Sequence, residues 1–134
     1  MGFQDADEVR HFIGSVFRAG FDDPEIGPRM VATGLVVRFA FTEPDAEMVV
    51  DMARQEIGDG AGMPAPDATM HMSADTGSAY WQGKVNLPLA MARQRIRVDG
   101  NVASLLKLAP LGKKLFPLYV DTLRAAGRED LVVA

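Results

Sequence analysis

Two histidines, His11 and His71, are the first residues of this chain to test for chemistry, because imidazole can act as a general base or bind a metal. They fall in different periodic segments, and neither has a second histidine at ligand spacing. His11 sits on the polar side of a helical pattern and His71 on the outward parity of a strand pattern, so ordinary solvation accounts for both. Cysteine is absent, which removes disulfides, thiolate metal sites and thiol nucleophiles. No G-x-S-x-G elbow, P-loop or dinucleotide fingerprint occurs. Gly58-x-Gly60-x-Gly62 follows no clear strand and opens no helix, so it reads as a loop. Asp75 with Tyr80 is the one acid–base pair to nominate, in the manner of a small isomerase or hydratase that works with an aspartate base and an acidic donor. Asp75 also suits the first turn of a helix, where negative charge favours the dipole. No catalytic residue, metal or cofactor is assigned.

Charge and sulfur offer binding rather than catalysis. Arg93, Arg95 and Arg97 share parity, which predicts one face of a strand, while Ile96 and Val98 take the other. Glu47 and Asp51 share the outward parity of an earlier strand, so cross-strand ion pairs would satisfy all five. The alternative is a basic patch for a phosphate or acidic headgroup, extended by Lys107, Lys113 and Lys114. Of eight methionines, Met48, Met52, Met70 and Met72 fall on inward strand positions. Unbranched thioethers adapt to irregular shapes, as an ordinary core or a cavity for varied apolar ligands requires.

These residues need elements to hold them. Asp5 and Glu8 resemble a capping box ahead of Val9, Phe12, Ile13, Val16 and Phe17, a helical stripe running to about Gly20. Asp23-Pro24-Glu25 predicts a second helix with proline at its first position, ending at Gly34. Val37, Phe39 and Phe41 then alternate with polar or small residues, as do Met48, Val50 and Met52 after the Glu43-Pro44-Asp45 turn, predicting an antiparallel hairpin. A short strand at 54–57, another through Ala68, Met70 and Met72, and a helix capped by Ser73 follow. A strand is expected at Arg93–Asp99, a helix at Val102–Ala109 stopped by Pro110, and a last helix through Leu115, Leu118, Tyr119 and Leu123, capped at Gly127, with Pro117 starting or kinking it. The order predicts an α+β domain with an antiparallel-dominated sheet and helices on one side. The whole of 1–134 is expected as one domain: N-terminal helices at 1–33, sheet and inserted helix at 35–99, C-terminal helices at 101–127.

Composition agrees with a binding module. A 48% apolar fraction without any run near the ~20 residues of a membrane helix describes a globular protein. The acidic start Met1-Gly2-Phe3-Gln4-Asp5 is not a signal peptide, and with no cysteine this fits a cytoplasmic location. A net charge of −4 argues against nucleic acid, whose binding depends on cations.

The stretch Gly83-Lys84-Val85-Asn86, with Met72-Ser73 before it and Ala90, Ile96, Val98, Gly100-Asn101 and Lys107-Leu108 after it, resembles the core signature of the type-2 sterol carrier protein family. Pro88 stands one place late for that signature, and Gln94 takes a usual glycine position. The C-terminus lacks a peroxisomal tripeptide, so a bacterial-type stand-alone domain is the closer resemblance. The resemblance implies a five-stranded, mostly antiparallel sheet covered by helices, enclosing a hydrophobic tunnel that takes a sterol, fatty acid or fatty acyl-CoA without chemistry, with transient membrane or partner-enzyme contact. Together with parity it places Phe39, Phe41, Met70, Tyr80, Trp81, Met91, Ile96, Leu105, Leu115 and Tyr119 around that tunnel. Extrapolating ~24 cal/mol per Å³ to ~500 Å³ of empty core gives ~12 kcal/mol. That rivals a domain's whole stability of ~5–15 kcal/mol, so the tunnel is expected to be filled, wet or partly collapsed. The alternatives are a small isomerase or hydratase on steroid or acyl substrates, and an accessory domain delivering lipid to a partner enzyme.

Overall fold

The computed structural model describes residues 2–133. Helix α1 (Ala6–Asp22) begins where the Asp5 carboxylate accepts the Glu8 amide at 2.8 Å. It buries the apolar stripe Val9, Phe12, Ile13, Val16 and Phe17 that its period dictates. Helix α2 (Ile26–Thr33) starts two residues beyond Pro24, and in the turn that leads into it the Asp23 carboxylate accepts the Glu25 and Ile26 amides, both at 2.8 Å. Gly34 ends it in the left-handed conformation.

Strands β1 (Val36–Thr42) and β2 (Ala46–Asp51) form the expected antiparallel hairpin, and β3 (Glu56–Gly58) extends it. Strand β4 (Ala68–Ser73) runs parallel to β1, with Phe39 opposite Met70. The chain then forms α3 (Ala74–Trp81), α4 (Leu87–Ala92) and β5 (Arg97–Gly100), the last antiparallel to β4. The sheet order is β3-β2-β1-β4-β5, a mixed sheet with one parallel seam. Asp67 locks that seam: its carboxylate accepts the Val36 amide at 2.8 Å, and its carbonyl accepts the Asn101 amide at 3.0 Å. Gly100 passes so near that a Cβ there would lie 2.4 Å from the Asp67 carbonyl, so glycine is required.

Helices cover the face carrying Val37, Phe39 and Phe41. Phe17 of α1 packs on Phe39 with ring centroids 5.5 Å apart. Ser73 caps α3 by accepting the Thr76 amide at 3.1 Å. Gly77 costs helix propensity but lets α3 approach the sheet, since a Cβ there would be 2.8 Å from the Phe41 ring. Asn101 caps α5 (Val102–Gly112) through the Ser104 amide at 3.1 Å. A 3-10 turn, Lys113–Leu115, leads into α6 (Phe116–Ala125), where Pro117 occupies the first turn and starts the helix. Among the described residues no helix is long and apolar enough to cross a membrane.

Three expectations are corrected. The strand at Arg93–Asp99 is mostly absent: Asn86 accepts the Leu89 amide at 3.0 Å, Pro88 fits the first turn, and the apolar run becomes α4. Its end brings Gln94 to φ 60°, so Arg93, Arg95 and Arg97 share no strand face. Nor do they meet Glu47 and Asp51, because β1 and β4 separate β5 from β2. Glu47 pairs with Arg38; Asp51, 4% exposed rather than on a wet face, accepts the Arg54 amide at 3.3 Å; Arg97 pairs with Asp99 at 3.6 Å. Pro110 lies inside α5 instead of stopping it, since proline's fixed φ is helical and only one amide bond is forfeited there.

Candidate functional site

The centre of the sheet is where side chains of β1 and β4 meet the helices without filling the space between them. Val37 and Phe39 from β1, Met70 and Met72 from β4, and Met52 just past β2 form the floor of an apolar cavity of about 50 Å³. Phe17 and Met30 close one side, Tyr80, Trp81 and Leu87 another, and Leu105, Leu108, Ala109, Leu111 and Gly112 of α5, with Leu115, form the roof. That volume holds a few water molecules at ~10–15 Å³ each, well below the ~300–1,000 Å³ of a typical ligand pocket. At ~24 cal/mol per Å³ it costs about 1 kcal/mol, which the domain tolerates.

The walls are of two kinds. Trp81 stands in an aromatic cluster, edge-on to Phe17 at 5.2 Å, Tyr80 at 5.1 Å and Phe116 at 6.0 Å. Four methionines, Met30, Met52, Met70 and Met72, supply the soft wall. The roof helix is unusual: Val102–Gly112 is apolar nearly all round, yet only Leu105 and Gly112 are fully buried. A Cβ at Gly112 would fall 2.8 Å from the Trp81 ring, so the α5 backbone lies directly against the indole.

Among the described residues no carboxylate, histidine or basic side chain lines this cavity. The one ionisable group is the Tyr80 phenol, which burial pushes above its usual pKa and so keeps neutral. Asp75 is exposed on the first turn of α3 and does not join Tyr80 there. His11 is exposed against Phe12, and the His71 ring lies 3.0 Å from an Asp99 carboxylate oxygen. Among the described residues no group of histidines and carboxylates could hold a metal.

Of the ten residues expected around a tunnel, Phe39, Met70, Tyr80, Trp81, Leu105 and Leu115 line the cavity. Phe41, Met91 and Ile96 do not; they line an open groove beside β5, because α4 replaces the expected strand there. Tyr119 lines neither, being 1% exposed and bonded to Ser78 at 2.8 Å. Burial pushes its pKa up to about 12 despite the opposing hydrogen bond from Ser78. That polar pair continues to Gln82, whose amide donates to Ser78 at 3.1 Å and to the Leu131 carbonyl at 2.9 Å and accepts the Val133 amide at 2.7 Å. Sequence reasoning missed the other lining residues, among which Leu108, Ala109 and Leu111 of α5 were signalled by a helix without a polar face.

The sequence profile of the SCP-2 sterol transfer family matches residues 16–113, which contain both the cavity floor and its roof up to Gly112. No curated protein matches the chain. Among solved structures, the sterol carrier protein domain 2 of Helicoverpa armigera is similar over 87% of this chain and 95% of its own, with 18% identity and a TM-score of 0.69. Sterol carrier protein 2 from Aedes aegypti, in complex with palmitate, is similar over 84% and 97%, at 24% identity and TM-score 0.57. A protein described as UbiJ-SCP2, a ubiquinone synthesis protein, is similar over 86% and 95%, at 13% identity and TM-score 0.60.

Proposed function

Because this chain belongs to the SCP-2 sterol transfer family, we propose that it binds and transfers one hydrophobic ligand, without chemistry, in the space between its sheet and the roof helix α5. The observation that carries this reading is the cavity itself: an apolar space at the centre of the domain, walled by methionines and aromatics and roofed by an under-buried apolar helix. At about 50 Å³ the cavity is too small for such a ligand, which must enlarge it. A ligand enters by displacing α5 and the flexible methionines, so that apolar surface now left exposed on α5 finds cover. Burying ~14 methylenes gains ~11 kcal/mol gross, and association costs of ~4–15 kcal/mol reduce that to a carrier's moderate affinity.

The palmitate held by the Aedes aegypti protein makes a fatty acid the first cargo to try, ahead of a sterol or fatty acyl-CoA. Purified protein examined by native mass spectrometry and lipid extraction should carry a fatty-acid or sterol-like mass. After delipidation, a fluorescent fatty acid should bind and quench Trp81, the only tryptophan, which lies in the cavity wall. Absence of any binding by the delipidated protein would sink the proposal. A second reading, an accessory domain that holds a lipid for an enzyme, draws on the ubiquinone synthesis protein of the same fold. It predicts lipid release only when a partner enzyme is added.

A further inference from the structure

β5 pairs with β4 only from Ala68 to His71, so Met72 and Ser73 continue past the end of their neighbour on that side. Beyond this end lies an open, half-polar groove of about 740 Å³. Met72 lines both this groove and the interior cavity. Phe39 in the cavity and Phe41 in the groove are stacked, with ring centroids 6.0 Å apart and planes 10° apart. Met72 thus belongs to the walls of both groove and cavity, and its side chain is an unbranched, easily displaced thioether.

The groove also draws on the basic stretch of this acidic protein. Residues 83–120 contain seven lysines and arginines and a single acid, Asp99, whereas the rest of the chain has seven basic residues against seventeen acidic ones. Two of those cations, Arg95 and Arg97, line the groove. Arg95 has no ion-pair partner among the described residues, while Arg97 shares Asp99 with His71 at 3.6 and 3.0 Å. One carboxylate therefore answers two cationic or ionisable neighbours, and Arg95 is left with none. A guanidinium in that position offers a fork matched to a carboxylate or phosphate.

We propose that this groove holds the anionic head of an amphiphile whose chain passes Met72 into the cavity, with Arg95 and Arg97 as the head-binding residues. The proposal rests on the carrier reading and deepens it: the cargo is an acidic amphiphile, a fatty carboxylate or lipid phosphate, rather than a neutral sterol.

Delipidated full-length protein is titrated with palmitate and with hexadecanol, which share a chain and differ in the head, by calorimetry or Trp81 fluorescence. Wild type should bind palmitate more tightly than hexadecanol. The double variant Arg95→Gln/Arg97→Gln, altering side chains outside the core, should weaken palmitate by about tenfold or more and leave hexadecanol unchanged. Acetate at millimolar concentration should not compete, since the head is held by virtue of its chain. Equal affinity for the two lipids in wild type, or equal losses in the variant, overturns the groove assignment while leaving the carrier intact. Competition by acetate also overturns it, pointing to a free-anion site instead. Binding of neither lipid overturns the carrier reading itself, and the head site with it.

Discussion

Helices α1 and α5 are both rich in apolar residues and both face the same side of the sheet, but they use that surface differently. α1 concentrates its apolar side chains on one stripe, and Val9 and Ile13 are completely buried by it. α5 distributes leucines around its circumference, so it cannot bury them all, and Leu106 remains 39% exposed. A helix patterned for one partner packs to completion. A helix patterned for no single partner keeps apolar surface in reserve, and here that reserve lies over the cavity.

The sharpest way to break the contrast is to cut into each side. Ile13→Ala should cost about 2–5 kcal/mol in chemical denaturation, because its site is fully packed. Leu105→Ala, which only enlarges space already present, should cost about half as much. Equal losses would mean that α5 is as tightly packed as α1. Next in size is the effect of cargo: palmitate at about a hundred times its dissociation constant should add about 2.7 kcal/mol of stability. Hydrogen exchange should place the new protection on α5 and leave α1 unchanged.

A third effect belongs to the packed side. Tyr119 has its pKa pushed up to about 12 by burial, with the Ser78 bond acting the other way, against about 10 when unfolded. The folded state therefore holds the phenolic proton more tightly. Its stabilisation is complete below pH ~10 and disappears as pH rises through about 12, a loss of roughly 3 kcal/mol. Tyr119→Phe should flatten that decline in denaturation curves measured from pH 9 to 12. Gly112→Ala should cost about 1–2 kcal/mol and shift Trp81 emission to longer wavelength, by lifting α5 from the indole. Smallest of all, Glu25→Gln should leave the unfolding midpoint where it is, since the Glu25–Lys114 pair at 3.0 Å is exposed on both sides.

Much of the architecture was legible because local signals and tertiary packing agree there. Asp5, Ser73 and Asn101 each accept a helix amide, and the alternation of β1 and β4 is the alternation of their burial. The Leu87–Gly100 segment was misread because three arginines at spacing two imitate a strand. Asn86 and Pro88, the true helix start, were weighed only as parts of the family signature. That error carried Met91 and Ile96 into the expected lining, while the charge pairing failed for lack of strand order, which parity does not contain. The cavity residues of α5 were harder still. A helix without a polar face announces that something must cover it, but not which side will be covered.

The parallel seam between β1 and β4 has a consequence for how the protein is made. Phe39 and Met70 are neighbours in the cavity floor but lie 31 residues apart in the chain. A growing polypeptide can close the β1–β2 hairpin early, from local contacts, but the floor must wait for β4 and the roof for residues up to 115. The site is thus completed by residues at and just beyond the end of the family-matched region. Until then β1 presents an unpaired edge and an apolar face, so the unfinished chain is the form most exposed to aggregation and least able to carry cargo.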